Sequence, residues 1–109
     1  MSDAVAKRMP ELIVTRNDVL GFDRIDIDFP DARVGNVRCR FMGDTVVVFS
    51  IQVFPEFQGN GYGRAAIGML KTRFRVLLAD RVRFAARGFW EKMEFRELPD
   101  GNWEHRHRS

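Results

Sequence analysis

Apolar and polar residues alternate in two early stretches, ELIVTR (11–16) and RIDIDF (24–29), and a period of two predicts strands with one buried and one solvated face. FPDA then reads as a turn, RVGNVRCRF (33–41) as a third strand and MGDT as a second turn. TVVVFSIQV (45–53) is apolar and β-branched along its length, as a buried strand is. The first half is therefore expected to be an antiparallel meander.

Beyond residue 60 the period changes. Ala65, Ala66, Met69, Leu70 and Phe74 recur at helical spacing, which predicts a helix over 62–74. VLLAD (76–80) reads as a short strand, FAARGFWEKM (84–93) as an amphipathic helix, and FREL (95–98) with NWEHR (102–106) as a hairpin about PDG. The order ββββαβαββ predicts an α+β domain in which the crossover at 54–75 permits one parallel pair. With 109 residues and neither a repeat nor a linker, one domain over 1–109 is expected.

Composition narrows the class. Hydrophobic residues at 45% and charged residues at 30% describe a globular protein, and no run of eighteen apolar residues offers a membrane span. The start MSDAVAKRMPEL lacks a signal-like apolar stretch, and the single Cys39 permits no intrachain disulfide, so a cytoplasmic protein is expected. The net charge is +3, with 15 arginines among the 18 basic residues. They cluster at Arg38 and Arg40, at Arg73 and Arg75, at Arg81, Arg83 and Arg87, and in the tail HRHRS. Interspersed acids make solvated faces the expected reading, and a nucleic-acid partner is not expected. Two histidines in HRHRS, with no third ligand nearby, do not make a metal site.

The stretch VFPEFQGNGYGRAAIG (53–68) carries the chemistry. It runs from a strand through Gly59, Gly61 and Gly63 into a helix, and a helix N-terminus offers unpaired N–H groups and about half a positive charge to an anion. One or two glycines would suffice for a turn, so three point to an anion site. A P-loop would need Lys and Ser or Thr after the last glycine, where Arg64 and Ala65 stand. The dinucleotide fingerprint is met by Gly61, Gly63 and Ala66, with Asp80 downstream. There, however, the glycines follow the strand directly, whereas PEFQ intervenes here and too little chain remains for a doubly wound sheet.

Val53, Pro55, Gln58, Gly61 and Gly63 stand at the spacings V-x-P-x-x-(Q/R)-x-x-G-x-(G/A), which resembles the acetyl-CoA-binding signature of GNAT N-acetyltransferases. AARGFWEKMEF resembles that family's second motif, with Ala86, Phe89 and Phe95 in place, and Gly35 resembles the hairpin before its fourth strand. The resemblance covers roughly 34–106. It implies a GNAT-like, mostly antiparallel sheet in which the strand ending at Val53 splays from VLLAD, with pantetheine in the gap. Ile51 and Val53 would contact thioester and pantetheine, and the N–H groups of Gln58, Gly59, Asn60, Gly61, Tyr62, Gly63 and Arg64 would cradle the pyrophosphate, with Arg64 adding a charged contact. The Ile51 N–H would be the oxyanion donor while an amine, on a small molecule or a protein, attacks acetyl-CoA directly, without a metal.

Departures from the pattern bear on the chemistry. The family's tyrosine acid aligns with Trp90, whose ring is expected to face the cofactor sulfur or else to fill core; Arg83 stands for an asparagine, Glu94 for a glycine and Leu78 for an acidic position. No general base is evident, and Asp80 and Glu56 read as solvated. A catalytically impaired module that binds CoA or a partner is therefore the alternative to an N-acetyltransferase. Only RNDVLGFD separates the first two strands, leaving no room for the two helices that usually form one acceptor wall, so the N-terminal half is shortened. Apolar sheet surface uncovered in this way predicts a homodimer.

Overall fold

The computed structural model describes residues 9–16 and 21–107. The start of the chain through residue 8, part of the RNDVLGFD connection (17–20) and the last two residues of HRHRS lie outside the described residues. Seven strands form one sheet in the order β1-β2-β3-β4-β5-β7-β6. They are β1 (Glu11–Thr15), β2 (Asp23–Phe29), β3 (Ala32–Met42), β4 (Thr45–Val53), β5 (Val76–Ala79), β6 (Arg96–Glu97) and β7 (Trp103–Arg106). Only β4 and β5 run parallel, joined by the crossover helix α1 (Tyr62–Arg73).

Alternation sets the two faces. Ile25, Ile27 and Phe29 of β2, Val37 and Cys39 of β3, and Val46 and Val48 of β4 share one buried cluster with Ala66, Ile67 and Leu70 of α1. Burying each large aliphatic side chain of this kind contributes about 1.5–3 kcal/mol. Cys39 lies inside that cluster, where burial pushes its thiol up to about 12, so it stays protonated and unreactive at neutral pH.

The other face of β2 and β3 is charged. Asp26, only 3% exposed, lies 3.3 Å from Arg24 Nε and 3.6 Å from Arg33 Nη1. Arg33 also grips Asp28 through two hydrogen bonds of 2.8 and 3.1 Å, which hold the Asp28 carboxyl below the usual carboxylate range. Arg38 and Arg40 stand exposed on the same side. Beside the ion pairs, Phe22 packs edge-on to Phe49 with ring centroids 5.3 Å apart, and Ile13 and Val14 of β1 are exposed.

One further expectation changes. The helix expected over 84–93 is a single 3-10 turn, Phe84–Ala86, followed by a short α2 (Arg87–Lys92), and Phe84 is 84% exposed rather than part of an apolar stripe. The Ala86 N–H donates to Arg83 O at 2.9 Å, an i→i+3 bond that tightens the start. At the far end, the Glu94 N–H bonds Glu91 O and the Phe95 N–H bonds Trp90 O, each at 3.0 Å, with Glu94 left-handed at φ 67. This helix ending favours glycine. It accounts for a glycine in the family pattern at this position, and Glu94 adopts the left-handed conformation without one. Gly35 lies within β3, the strand that a turn joins to β4, and a Cβ there would collide with the Gln52 carbonyl oxygen of β4.

Candidate active site

β4 does not pair with β5 along its whole length. Their parallel register runs from Thr45 opposite Val76 to Val48 opposite Ala79, and the Asp80 N–H to Val48 O bond at 2.9 Å is the last rung. Beyond it the strands part. The side of β4 facing β5 is open from Phe49 onward.

A bulge decides what that open stretch presents. Arg38 pairs with Ser50 and Cys39 with Val48, so Phe49 has no partner on β3 and the side-chain alternation shifts by one. Before it Val46 and Val48 face the helices, and after it Ile51 and Val53 do. The Phe54 N–H donates to Val34 O at 2.8 Å, which sets the narrow rungs at Asn36/Gln52 and Arg38/Ser50. Ile51 and Val53 occupy the alternate positions. Their N–H and C=O groups therefore point away from β3, into the gap.

The gap is a cleft of about 540 Å³. Ser50, Ile51 and Val53 line one side, Asp80 to Arg83 the other, and Gly63, Phe89 and Trp90 also face it. Trp90 is 7% exposed and packs against Phe89 and Phe95 with ring centroids 5.0 and 4.7 Å away. It lines the cleft and fills core together, so the two expectations for it are not exclusive. A Cβ on Gly63 would lie 3.8 Å from both Val53 Cγ2 and Phe89 Cε1. That is ordinary van der Waals contact, so the first turn of α1 lies against the cleft wall with room for a methyl group at Gly63.

The loop leading to α1 is held by its own side chains. Gln58 Nε2 donates to Val53 O at 2.9 Å, and Asn60 Nδ2 donates to Phe57 O at 2.9 Å. The Gln58 N–H turns to Pro55 O at 3.3 Å, so Gln58 braces the loop with both its amide groups. Gly59 and Gly61 are left-handed at φ 84 and 79, and Gly61 caps α1. The first intrahelical bond is Ala65 N–H to Gly61 O at 2.9 Å. The N–H groups of Tyr62, Gly63 and Arg64 precede it and are free of the helix ladder. Tyr62 packs its ring edge-on to Phe29 at 5.0 Å, while Arg64 is exposed beside the loop.

Ile51, Val53, Gly63 and Trp90 are thus brought together in one cleft, whereas Gln58 and Asn60 support it from behind. Sequence reasoning passed over the wall opposite Ile51. Asp80 is the cleft's one lining carboxylate, and Arg81 stands next to it in a left-handed conformation at φ 48. A residue other than glycine in that conformation leaves no mark in an apolar-polar pattern. Among the described residues, no group of three or more His, Cys, Asp or Glu is placed to hold a metal, and no helix is long and apolar enough to cross a membrane.

No family model matches the chain. An uncharacterized N-acetyltransferase of Bacillus velezensis is 35% identical over 52 residues, a match taking in 48% of this chain and 32% of the relative. The chain thus matches about a third of that relative's length. The N-acetyltransferase YlbP of Bacillus subtilis, solved in complex with coenzyme A, superposes with a TM-score of 0.64 at 20% identity, covering 77% of this chain and 67% of its own. An acetyltransferase of Thermus thermophilus gives 0.66 at 17% identity, over 79% and 64%. The ribosomal-protein-S18-alanine N-acetyltransferase of Escherichia coli gives 0.56 at 22%, over 81% and 67%. With its one parallel pair parting at Val48 and its glycine-capped crossover helix, the chain has the fold of the GNAT N-acetyltransferases.

Proposed function

We propose that the chain transfers an acetyl group from acetyl-CoA to an amine. The observation that carries this reading is the open stretch of β4, whose Ile51 and Val53 peptide groups face a cleft that reaches the free first turn of α1. An extended pantetheine with two amides fits such a stretch as an added strand would, and a pyrophosphate fits the bare N–H groups of Tyr62, Gly63 and Arg64. The coenzyme A bound to the YlbP fold supports the same donor.

In this reading a neutral amine nitrogen attacks the acetyl carbonyl carbon. The N–C bond forms, the C–S bond breaks, the amine's surplus proton passes to base or water, and the departing thiolate takes a proton. In this reading the Ile51 N–H holds the oxyanion, and one such donor contributes about 3–4 kcal/mol. Trp90 stands where a phenol would protonate the thiolate, and an indole N–H is no acid at neutral pH. Loss of a general acid costs about 10²–10⁴ in rate, whereas alignment of bound reactants supplies about 7–11 kcal/mol. Positioning therefore sustains turnover at a reduced rate.

Thiol release from acetyl-CoA with a panel of amines, and mass spectrometry of the products, tests the reading. Acceptor-dependent release with acetylated product is expected. Tight acetyl-CoA binding without release would favour the second reading, a CoA-binding module, which the indole at residue 90 supports.

Trp90→Tyr supplies an acid at the same place. Turnover is expected to rise by up to about 10²-fold with acetyl-CoA affinity within about threefold of wild type. An unchanged rate in a folded variant would show that proton delivery to the thiolate does not limit turnover.

A further inference from the structure

The cleft wall opposite Ile51 is the segment Asp80–Arg83, and it is fixed from two sides. The Asp80 N–H is bonded to Val48 O, and the Arg81 N–H donates to Asn102 Oδ1 at 2.9 Å. Asn102 is itself held in the β6–β7 hairpin, its N–H on Asp100 Oδ1 at 2.9 Å and its carbonyl accepting the Leu98 N–H at 2.7 Å. Arg81 is thereby kept left-handed at φ 48, a conformation that disfavours any residue bearing a Cβ and that glycine would adopt freely. The chain keeps an arginine there all the same.

Arg87 is paired to Glu97 at 2.8 Å and Arg33 to Asp28, whereas the side chains of Arg81 and Arg83 have no ion pair among the described residues. Both are exposed. Next to them Phe84 is 84% exposed, with the Arg87 guanidinium 5.7 Å from its ring centroid. The rim therefore offers, in sequence, one carboxylate, two unspent guanidiniums and an apolar ring.

Resting on the acetyl-transfer reading, we propose that the acceptor is the α-amino end of an acidic polypeptide. Asp80 receives the terminal ammonium and takes the proton it must lose before attack, while Arg81 and Arg83 pair with carboxylates on the next few residues. The N–C bond then forms at the thioester carbon, the C–S bond breaks as the adduct collapses, and the second amine proton passes through water to the departing thiolate. An α-amine ionises near 7.7–8.0 and a lysine amine near 10.4, so at neutral pH the neutral α-amine is roughly a few hundred times more abundant. A site with one lining carboxylate works on the former with far less help.

The test uses the full chain with acetyl-CoA and three matched peptides. One has a free N-terminus followed by Asp and Glu, one a free N-terminus followed by Lys, and one a blocked N-terminus with an internal Lys. KM for the acidic peptide is expected about tenfold or more below that for the basic one, with no acetylation of the blocked peptide. The double variant Arg81→Glu/Arg83→Glu should reverse the preference and leave acetyl-CoA affinity within about twofold. Arg81→Gly should hold or raise Tm as the strain leaves, yet raise KM for the acidic peptide several-fold; a merely structural Arg81 would leave KM unmoved. Anisotropy of a labelled peptide on the CoA-loaded chain repeats the comparison without turnover. Absence of thiol release would then count against acetyl transfer alone, while absence of any charge preference in binding would overturn the acidic acceptor. A fall in acetyl-CoA affinity in the double variant would overturn it too, by assigning the arginines to the donor's phosphates.

Discussion

Gly61→Val is expected to weaken acetyl-CoA binding by about 100-fold or more while leaving the sheet folded. Gly61 caps α1 at φ 79 and ψ 17, and nothing lies within 4 Å of where its Cβ would be, so conformation rather than space is at stake. A β-branched residue strongly resists the left-handed region. The turn would have to re-form, moving the N–H groups of Tyr62, Gly63 and Arg64 off their common direction. Hydrogen bonds to a charged partner contribute about 1.5–3 kcal/mol each, and losing two removes about 3 kcal/mol or more. Calorimetry on wild type and variant, with circular dichroism as the folding control, decides the matter. Affinity within about threefold would place the phosphates elsewhere.

Gly35→Ala is expected to be the most destabilising single-methyl change in the chain. Its Cβ would run into the Gln52 carbonyl oxygen and lie 3.0 Å from Val53 Cα, both on backbone that cannot swing aside. The β3–β4 pairing at that point also sets the direction of the Ile51 and Val53 peptide groups. A loss of about 3 kcal/mol or more is expected, which lowers Tm by roughly 10 °C or more in a domain of this size. Gly68→Ala makes the contrast. In mid-helix with nothing within 4 Å of its Cβ, it should stabilise by about 0.5–1 kcal/mol. A Gly35→Ala melt equal to wild type would mean that β3 and β4 lie further apart than described.

The elements themselves were largely legible. Alternation in RIDIDF gave β2, the helical spacing of Ala66 and Leu70 gave α1, and VFPEFQGNGYG placed the loop between a strand and a helix. The polar face was legible too, since Arg24, Asp26 and Asp28 occupy every second position. What stayed hidden were features set by pairing partners. The bulge at Phe49 lies in TVVVFSIQV, where apolar residues run on both sides and no alternation marks the slip. The strain at Arg81 depends on Asn102, twenty-one positions later in the chain. Glu94 lay between these cases. It was visible only as a departure from a glycine pattern, and the left-handed helix ending at that position came from the structure.

The parting of β4 from β5 leaves an edge in the middle of a sheet. Edges with free rungs invite other extended chains, including further copies of the same protein, and lead towards aggregation. This one is short, and Gln52, Asp80, Arg81 and Arg83 crowd it with polar and charged groups, the features that commonly discourage such pairing. Whatever fills the gap stabilises the fold by mass action, so the supply of the occupant would govern the protein's lifetime as well as its work. Charge on the rim would then also keep the empty molecule from pairing with its own kind.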